Sequence, residues 1–468
     1  MKTKQPRQRS FFNTSLMSQL PPQTQEVVAH VLDRAKAHGV SAADVLLADG
    51  ESLSVQVRLA TVDRLTKARE KALGLRVFFD KRSASASTSD FSPRSLDRFV
   101  AETCALAQAV AEDPAAGLPD PQAMAQEFPD LDVYDPTALT VDQAMALAQR
   151  AEKAALDEDP RVTNSEGADC STTAGAVVLA NTHGFLGVHR SSRFSLSVTP
   201  VARDPDGSGM QRDYWYSVRR KFQWLDSPEA IGRTAAQRAI RRLGARKIGT
   251  QRVPVIFDQE TAESLLGHLA NAVSGYSLYK GASFLVGQLG KPIASECVSV
   301  EDHGRLLGGL GSRPFDGEGL PTRKTRVVEN GVLTSYLLDT YSGRKLGLPS
   351  TGNASRGVGE NPTVAPTNLY ILPGSSSPEE IIKTVSHGLY VTELIGFGVN
   401  IVTGDYSRGA VGFWIENGEL AYPVEEVTIA GNLKRMFAEI ELVGNDLEFR
   451  GRIASPTIKI REMMVAGH

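Results

Sequence analysis

The residues best placed to do chemistry lie on one amphipathic stretch, "SLLGHLANAVSG", at positions 264–275. A histidine on a short helix is the start of a zinc peptidase site, but such a site needs more. It needs a second imidazole, neutral and on the same side of the metal, and a carboxylate to activate water. Four residues beyond His268 stands Ala272, and one residue beyond it stands Leu269. Neither can ligate or act as a base. His303 and His387 are far along the chain, and His183 sits in the turn-like "NTHG" with His189 nearby. On a helical wheel His268 falls at the border of the apolar face, with Leu265 and Ala272 on one flank and Ser264 and Asn271 on the other. A packed histidine and a histidine lining a cleft both fit that position.

The densest polar cluster is "TGDYSRGAVGFW", residues 403–414. Asp405, Tyr406, Ser407 and Arg408 lie between Gly404 and Gly409, which would let backbone approach a ligand closely. Arg408 could fork onto a carboxylate, such as a peptide terminus. Equally, Asp405 and Arg408 could pair with each other and brace a loop. His268, Asp405, Tyr406, Ser407 and Arg408 are therefore the candidate substrate- or partner-binding residues. No catalytic, cofactor-binding or metal-ligating residue can be named. The chain contains no G-x-S-x-G elbow and no P-loop. "DPDGSG" at 204–209 opens like a calcium loop, but Trp215 stands where the bidentate glutamate belongs, so it is read as a turn.

These residues need elements to hold them. A helix is expected over 23–38, with Gly39 as its stop. "SLSVQVRL" and "LGLRVFF" alternate as half-buried strands do. Ser92 and Pro93 open a second helix. Residues 114–136, rich in Pro, Asp and Gly, read as a linker or long loop. The pattern then repeats: Thr140 and Gln143 form a capping box for a helix to about Glu158. Strands follow in "AGAVVLANTHG", "FSLSV" and "DYWYSV". A helix from Ser227–Pro228 to near Gly244 carries Arg233, Arg238, Arg241 and Arg242, with Arg246 and Lys247 beyond it. Without interleaved aromatics it is read as a solvated face rather than a nucleic-acid patch.

From Val253 the texture changes. "VPVIF" is a strand, Asp258 caps the helix that carries His268, and Gly275 ends it. Asn-Gly pairs in "VVENGVL" and "WIENGEL" mark two type I′ hairpins. Ser377, Pro378 and Glu380 start one more helix, with His387–Gly388 at its stop. The expected fold class is α+β: a two-part α+β N-terminal region and a β-rich C-terminal domain with few helices. The boundaries are a flexible tail over 1–20, an N-terminal region over 21–245 in parts of about 21–113 and 137–245, and a C-terminal domain over 246–468.

Composition agrees with a soluble chain. Of 468 residues 41% are hydrophobic, and the net charge of −3 gives no bulk attraction for nucleic acid. Three scattered cysteines form no CxxC, which suits a reducing compartment. No signal-peptide core or 18-residue apolar run occurs, so a cytoplasmic protein away from the membrane is expected.

Four stretches together resemble the TldD/TldE (PmbA) family of peptidase-related bacterial and archaeal proteins. They are "EGLPTRKTRVVENGVLTSYLLDTYSGRKLGL" (318–348), "STGNASRG" (350–357), "VTELIGFGVNIVTGDYSRGAVGFWIENGELAYPV" (391–424) and "TIAGNLKRMFAEIELVGND" (428–446). Within the third stretch, "TGDYSRGAVGFW" is similar to the TldE/PmbA branch. The resemblance implies a two-subunit metalloprotease. A TldD-like paralogue would carry zinc on an H-E-x-x-x-H helix with a distal cysteine. The TldE-type subunit would help enclose a chamber where unfolded or short peptides are cut. By position the motif's first histidine falls on Gly267, its glutamate on His268 and its second histidine on Ala272. The C-terminal tail has no cysteine. The resemblance thus implies a non-catalytic, pseudoenzyme-like subunit with no cofactor of its own, zinc in the partner of a heterodimer, and peptides as substrates. An independent hydrolase or a regulatory binding protein are the competing readings.

Overall fold

The computed structural model describes residues 22–467 apart from 205 and 208. The expected N-terminal tail and Ser208 of the calcium-like turn lie outside the described residues. The chain begins with α1 (Pro22–Ala37), β1 (Ala42–Arg58), β2 (Thr61–Phe79), β3 (Arg82–Thr88) and α2 (Pro93–Ala109). It continues through α3 (Val141–Asp157), β4 (Val162–Asn181), β5 (Leu186–Arg203), β6 (Met210–Arg212), β7 (Trp215–Arg219) and α4 (Pro228–Ile240). The strands make one seven-stranded sheet in the order β3-β2-β1-β4-β5-β6, with β7 also on β5. Two long hairpins, β1–β2 and β4–β5, meet along β1 and β4.

Alternation on β1 explains how one sheet serves two helix pairs. Odd positions face the same side. Ala43, Val45 and Leu47 pack under α1 and α2, while Leu53, Val55 and Val57 pack under α3 and α4. The even-numbered Leu46 joins Phe185 and Phe315 on the other face, against the C-terminal half. Thr140 and Gln143 make the expected capping box. Ser92 precedes Pro93 as expected, but its side chain makes no capping hydrogen bond. The 114–136 segment carries a single 3-10 turn, at Pro121–Ala123. It is packed rather than loose, with Met124, Ala125, Leu131 and Val133 buried.

The remaining elements are β8 (Gln251–Phe257), α5 (Gln259–Ala272), α6 (Gly275–Tyr279), β9 (Val300–His303), β10 (Lys324–Glu329), β11 (Val332–Leu333) and α7 (Thr340–Leu346). After them come β12 (Ala354–Ser355), β13 (Thr363–Val364), β14 (Leu369–Ile371), α8 (Pro378–Lys383), β15 (His387–Val399), β16 (Asp405–Glu416) and β17 (Glu419–Asn432). The chain closes with α9 (Leu433–Ala438), β18 (Ile440–Val443), β19 (Ile453–Ala454) and β20 (Ile458–Ala466). A six-stranded sheet, β17-β16-β15-β8-β20-β18, and a five-stranded sheet, β11-β10-β9-β14-β19, share a core with α5. The architecture is α+β.

Asn330–Gly331 and Asn417–Gly418 have φ of 46° and 80°, and 51° and 82°. Those are the paired positive values that type I′ hairpins require. Two expected helix ends move. Helix α5 stops at Ala272 with Val273 as its C-cap, and Gly275 instead begins α6. His387 opens β15, while Thr384 caps α8.

Candidate functional site

Helix α5 starts at Asp258, whose carboxylate accepts the Thr261 amide at 2.9 Å. Burial pushes the Asp258 carboxyl up to about 6. Leu265, Leu266 and Leu269 anchor the helix in the core, and Ala272 beside them is fully buried. The opposite side is polar. Glu260 receives Tyr216 Oη at 3.1 Å and Arg450 Nη1 at 3.2 Å. Glu263, buried near Glu260, is raised to about 7. At Gly267 a side chain would meet only Ile453 Cδ1, at 3.9 Å.

His268 sits one position on. Its ring stands edge-on to Tyr406, with centroids 6.1 Å apart. The imidazole Nε2 and the Tyr406 hydroxyl are both buried without a hydrogen-bond partner. Burial lowers the His268 pKa and the nearby Arg408 charge lowers it further, so the imidazole is neutral. Burial also raises the Tyr406 phenol.

Strand alternation splits the sequence cluster of β16. Tyr406 and Arg408 share a face and are close enough to His268 to act on it. Asp405 and Ser407 fall on the other, exposed side. Asp405 takes hydrogen bonds from Thr403 Oγ1 (2.7 Å) and Asn432 Nδ2 (3.2 Å), which hold its pKa low. No Asp405–Arg408 pair forms, because the two residues are three apart on a strand and face opposite ways. Arg408 Nε donates to the Ile395 carbonyl at 3.4 Å, and its guanidinium lies 5.9 Å from the Phe397 ring centre. Phe397 is 95% exposed. Among the described residues no carboxylate pairs with Arg408. His268, Tyr406 and Arg408 thus place a neutral imidazole and a phenol, their polar atoms sealed, behind a half-exposed cation that can hold a peptide carbonyl or carboxylate.

The basic helix α4 corrects the solvated-face reading. Arg238 pairs with Asp213 at 3.3 Å, and Arg242 pairs with Glu393 at 2.6 Å. Arg242 is nearly sealed, with 7% of its side chain exposed. Arg241 and Arg246 lie over Phe413 and Tyr422. Arg238 on α4 thus braces the N-terminal region, and Arg241, Arg242 and Arg246 just past its end join that region to β15, β16 and β17.

A second polar region has no counterpart among the sequence candidates. Asp44 on β1 takes Arg76 Nη2 at 2.6 Å and Arg356 Nη1 at 2.8 Å, all three side chains being at most 7% exposed. Burial alone would raise the Asp44 carboxyl; the Arg356 and Arg76 charges outweigh it and hold the pKa low. Arg76 also lies 3.7 Å from Glu318. Glu318 accepts the Thr340 amide at 2.8 Å. Burial, helped by the neighbouring Asp316 and Asp339, pushes it up to about 7 against the pull of Arg76. The signal available was acidic and basic residues placed within strongly apolar strands, as Asp44 and Arg76 are.

Three domains of one family follow one another along the chain. Residues 43–107 match the PmbA/TldA metallopeptidase domain 1, residues 134–243 the central domain, and residues 250–467 the C-terminal domain. The chain belongs to this PmbA/TldD family. It is 42% identical to the metalloprotease PmbA of Escherichia coli O157:H7 over 443 residues, 95% of this chain and 96% of that one. It is 39% identical to the PmbA homologue of Haemophilus influenzae, over 97% of this chain and 99% of that one. A structure described as a putative modulator of DNA gyrase from Bacteroides thetaiotaomicron superposes with a TM-score of 0.88 at 28% identity, covering 96% of this chain and all of the other. TldE from Thermococcus kodakarensis shares the fold, with a TM-score of 0.82 at 22% identity over 94% of this chain and all of the other.

The family is named for metallopeptidases, and a metal in this PmbA/TldD chain would need a set of donor side chains to hold it. No group of three or more His, Cys, Asp or Glu side chains able to hold one occurs among the described residues. Helix α5 offers a glycine, an imidazole with a buried Nε2, and an alanine sealed in the core. The residues do not fit a metal. No described helix is long and apolar enough to cross a membrane. Cys104 and Cys170 are buried, Cys297 is exposed, and all three are free.

Proposed function

We propose that this chain is the PmbA-type, or TldE-type, subunit of a cytoplasmic two-subunit peptidase, and that a TldD-like paralogue carries the zinc. One observation carries the reading: helix α5 keeps the fold's central helix but presents Gly267, His268 and the buried Ala272 where ligands and base would stand. The chain's own part is to close the chamber and hold an unfolded peptide.

Strand β15 offers a means. It pairs with β8 only over Leu389–Val391, so from Glu393 to Val399 its outer side has no neighbouring strand among the described residues. An extended peptide added there would gain backbone hydrogen bonds without a sequence requirement. Arg408 would receive a carbonyl or terminal carboxylate, with His268 and Tyr406 packed behind it.

The test is reconstitution with the TldD-like paralogue from the same genome. The paralogue alone should cleave an unstructured peptide poorly, and addition of this chain should restore cleavage and form a stable complex. Equal cleavage without this chain, or peptidase activity and stoichiometric zinc in this chain alone, overturns the proposal.

A further inference from the structure

A cavity of about 360 Å³ lies where the N-terminal sheet meets α6 and α7, away from His268. That volume falls in the range of small-molecule sites, roughly 300–1,000 Å³. Tyr276, Tyr279 and Tyr341 line it. Tyr279 packs edge-on against each of the others, with centroids 5.7 Å apart in both pairs. Glu318 and Asp339 also line the cavity, and each is 3% exposed.

The charges there are not balanced by the protein. The Arg76 guanidinium donates to Asp44 through Nε at 3.1 Å and Nη2 at 2.6 Å. Asp113, a third carboxylate at the cavity, is taken up by Lys345 Nζ (2.8 Å) and Tyr341 Oη (2.6 Å). Glu318 uses Oε2 for the Thr340 amide. Its Oε1 has no hydrogen bond among the described residues, and the Arg76 nitrogen is 3.7 Å away. Asp339 accepts both Ser342 bonds on Oδ1, leaving Oδ2 free among the described residues. Two buried carboxylates therefore keep one open oxygen each beside aromatic walls. Both carboxylates line the cavity, where a donor-rich cation can hydrogen-bond to their open oxygens. Aromatic faces attract the same kind of group, and while Lys280 and Lys345 already lie over the Tyr276 and Tyr341 rings, no cation lies over Tyr279 among the described residues.

We infer that this cavity binds a small organic cation, with a guanidinium or primary ammonium head on Glu318 and Asp339 and its body against the tyrosines. Arg76 also lines the cavity, but it is already bonded to Asp44, so an anion meets the two open carboxylate oxygens first. A bare metal ion finds too few ligands. This site is independent of the peptide-binding reading, because it lies on other elements and uses none of its residues.

The experiment is calorimetric titration of the full chain with agmatine at pH 8, where Glu318 is ionised. Glutarate and a sodium chloride blank of equal ionic strength serve as controls. Saturable one-to-one agmatine binding is expected, weakened at least tenfold by Glu318→Gln and by Tyr279→Leu. The second variant leaves the carboxylates intact and serves alone if the first does not fold. Absence of saturable agmatine binding, binding that either folded variant leaves unchanged, or preferential binding of glutarate overturns the inference.

Discussion

The two polar regions of this molecule both hold buried atoms without a hydrogen bond, Arg356 Nε and Nη2 in one and His268 Nε2 and the Tyr406 hydroxyl in the other, but they differ in whether charge meets charge. Around Asp44, Arg76, Arg356 and Glu318, opposite charges meet at 2.6–3.7 Å and are almost wholly sealed from water. Around His268 and Tyr406, the imidazole Nε2 and the hydroxyl face each other's surroundings with no partner, and the one nearby charge, Arg408, has no counterion among the described residues. The first region joins the N-terminal sheet to the C-terminal half and is integral to folding. The second, on the helix where the family's chemistry is expected, packs Tyr406 into the core and has Arg408 as a cation without an ion pair among the described residues. A sealed ion-paired cluster and an unpaired cation therefore sit at different places, and substitutions can separate them.

The largest effect is expected from Asp44→Asn. It leaves the Arg76 and Arg356 guanidiniums facing each other without their shared carboxylate. Breaking a buried ionic cluster by removing one partner costs about 3–5 kcal/mol. Urea unfolding should show that loss; a change below about 1 kcal/mol would mean the cluster is solvated and the contrast between the regions is wrong.

Next comes Glu318. It faces Arg76 from β2, Asp316 in the preceding turn, Asp339 and the Thr340 amide at the start of α7, and the Arg356–Asp44 pair behind Arg76. Its pKa rises from 4.5 in the unfolded chain to about 7 in the folded one. The folded state thus holds a proton that the unfolded state releases, and stability from this group falls as pH rises from about 4.5 to about 7. Glu318→Gln removes that slope. Wild type should lose about 2 kcal/mol relative to the variant between pH 5 and 7.5, following the linkage of roughly 1.4 kcal/mol per pKa unit. Parallel pH profiles of thermal or urea stability would contradict it.

Legibility in the sequence follows the same division. Local signals were readable because they are short-range. The Thr140–Gln143 capping box and both Asn-Gly hairpins depend on neighbouring residues, and all three appear. The His268 helix was readable from its period and its Asp258 cap. What sequence could not supply was side-chain partnership across distant segments. Arg242 meets Glu393 from 151 residues away and Arg356 meets Asp44 from 312 away. For that reason a helix rich in arginine read as solvated, and the Glu318 cavity had no signature. The Asp405–Ser407 candidates were grouped with Tyr406 and Arg408 by adjacency, whereas a strand sends alternate residues to opposite faces.

A smaller effect is expected from Arg408→Ala, and it rests on the proposed function. The side chain has no ion pair to lose, so Tm should stay within about 2 °C, as for other surface substitutions of at most about 0.5 kcal/mol. In the reconstituted complex kcat/KM for an unstructured peptide should fall roughly tenfold, about 1.4 kcal/mol of lost binding. Unchanged cleavage removes Arg408 from the peptide path. A large fall in Tm instead gives it a structural role.

The smallest effect is expected where burial is deepest. Tyr406 is 2% exposed, and removal of a group that deep from a core costs several kcal/mol when atoms that pack are lost. Tyr406→Phe removes only the hydroxyl. That oxygen is buried without a hydrogen bond, so it contributes a desolvation cost and no compensating bond. The ring keeps its edge-on contact with His268. Stability should be unchanged or rise by about 1 kcal/mol, while Asp44→Asn, a change of similar size on an equally buried side chain, should be severely destabilising. Loss of more than about 1 kcal/mol in Tyr406→Phe would show that the hydroxyl has a partner such as a buried water. It would also mean that the His268 region is braced in the same way as the Asp44 cluster.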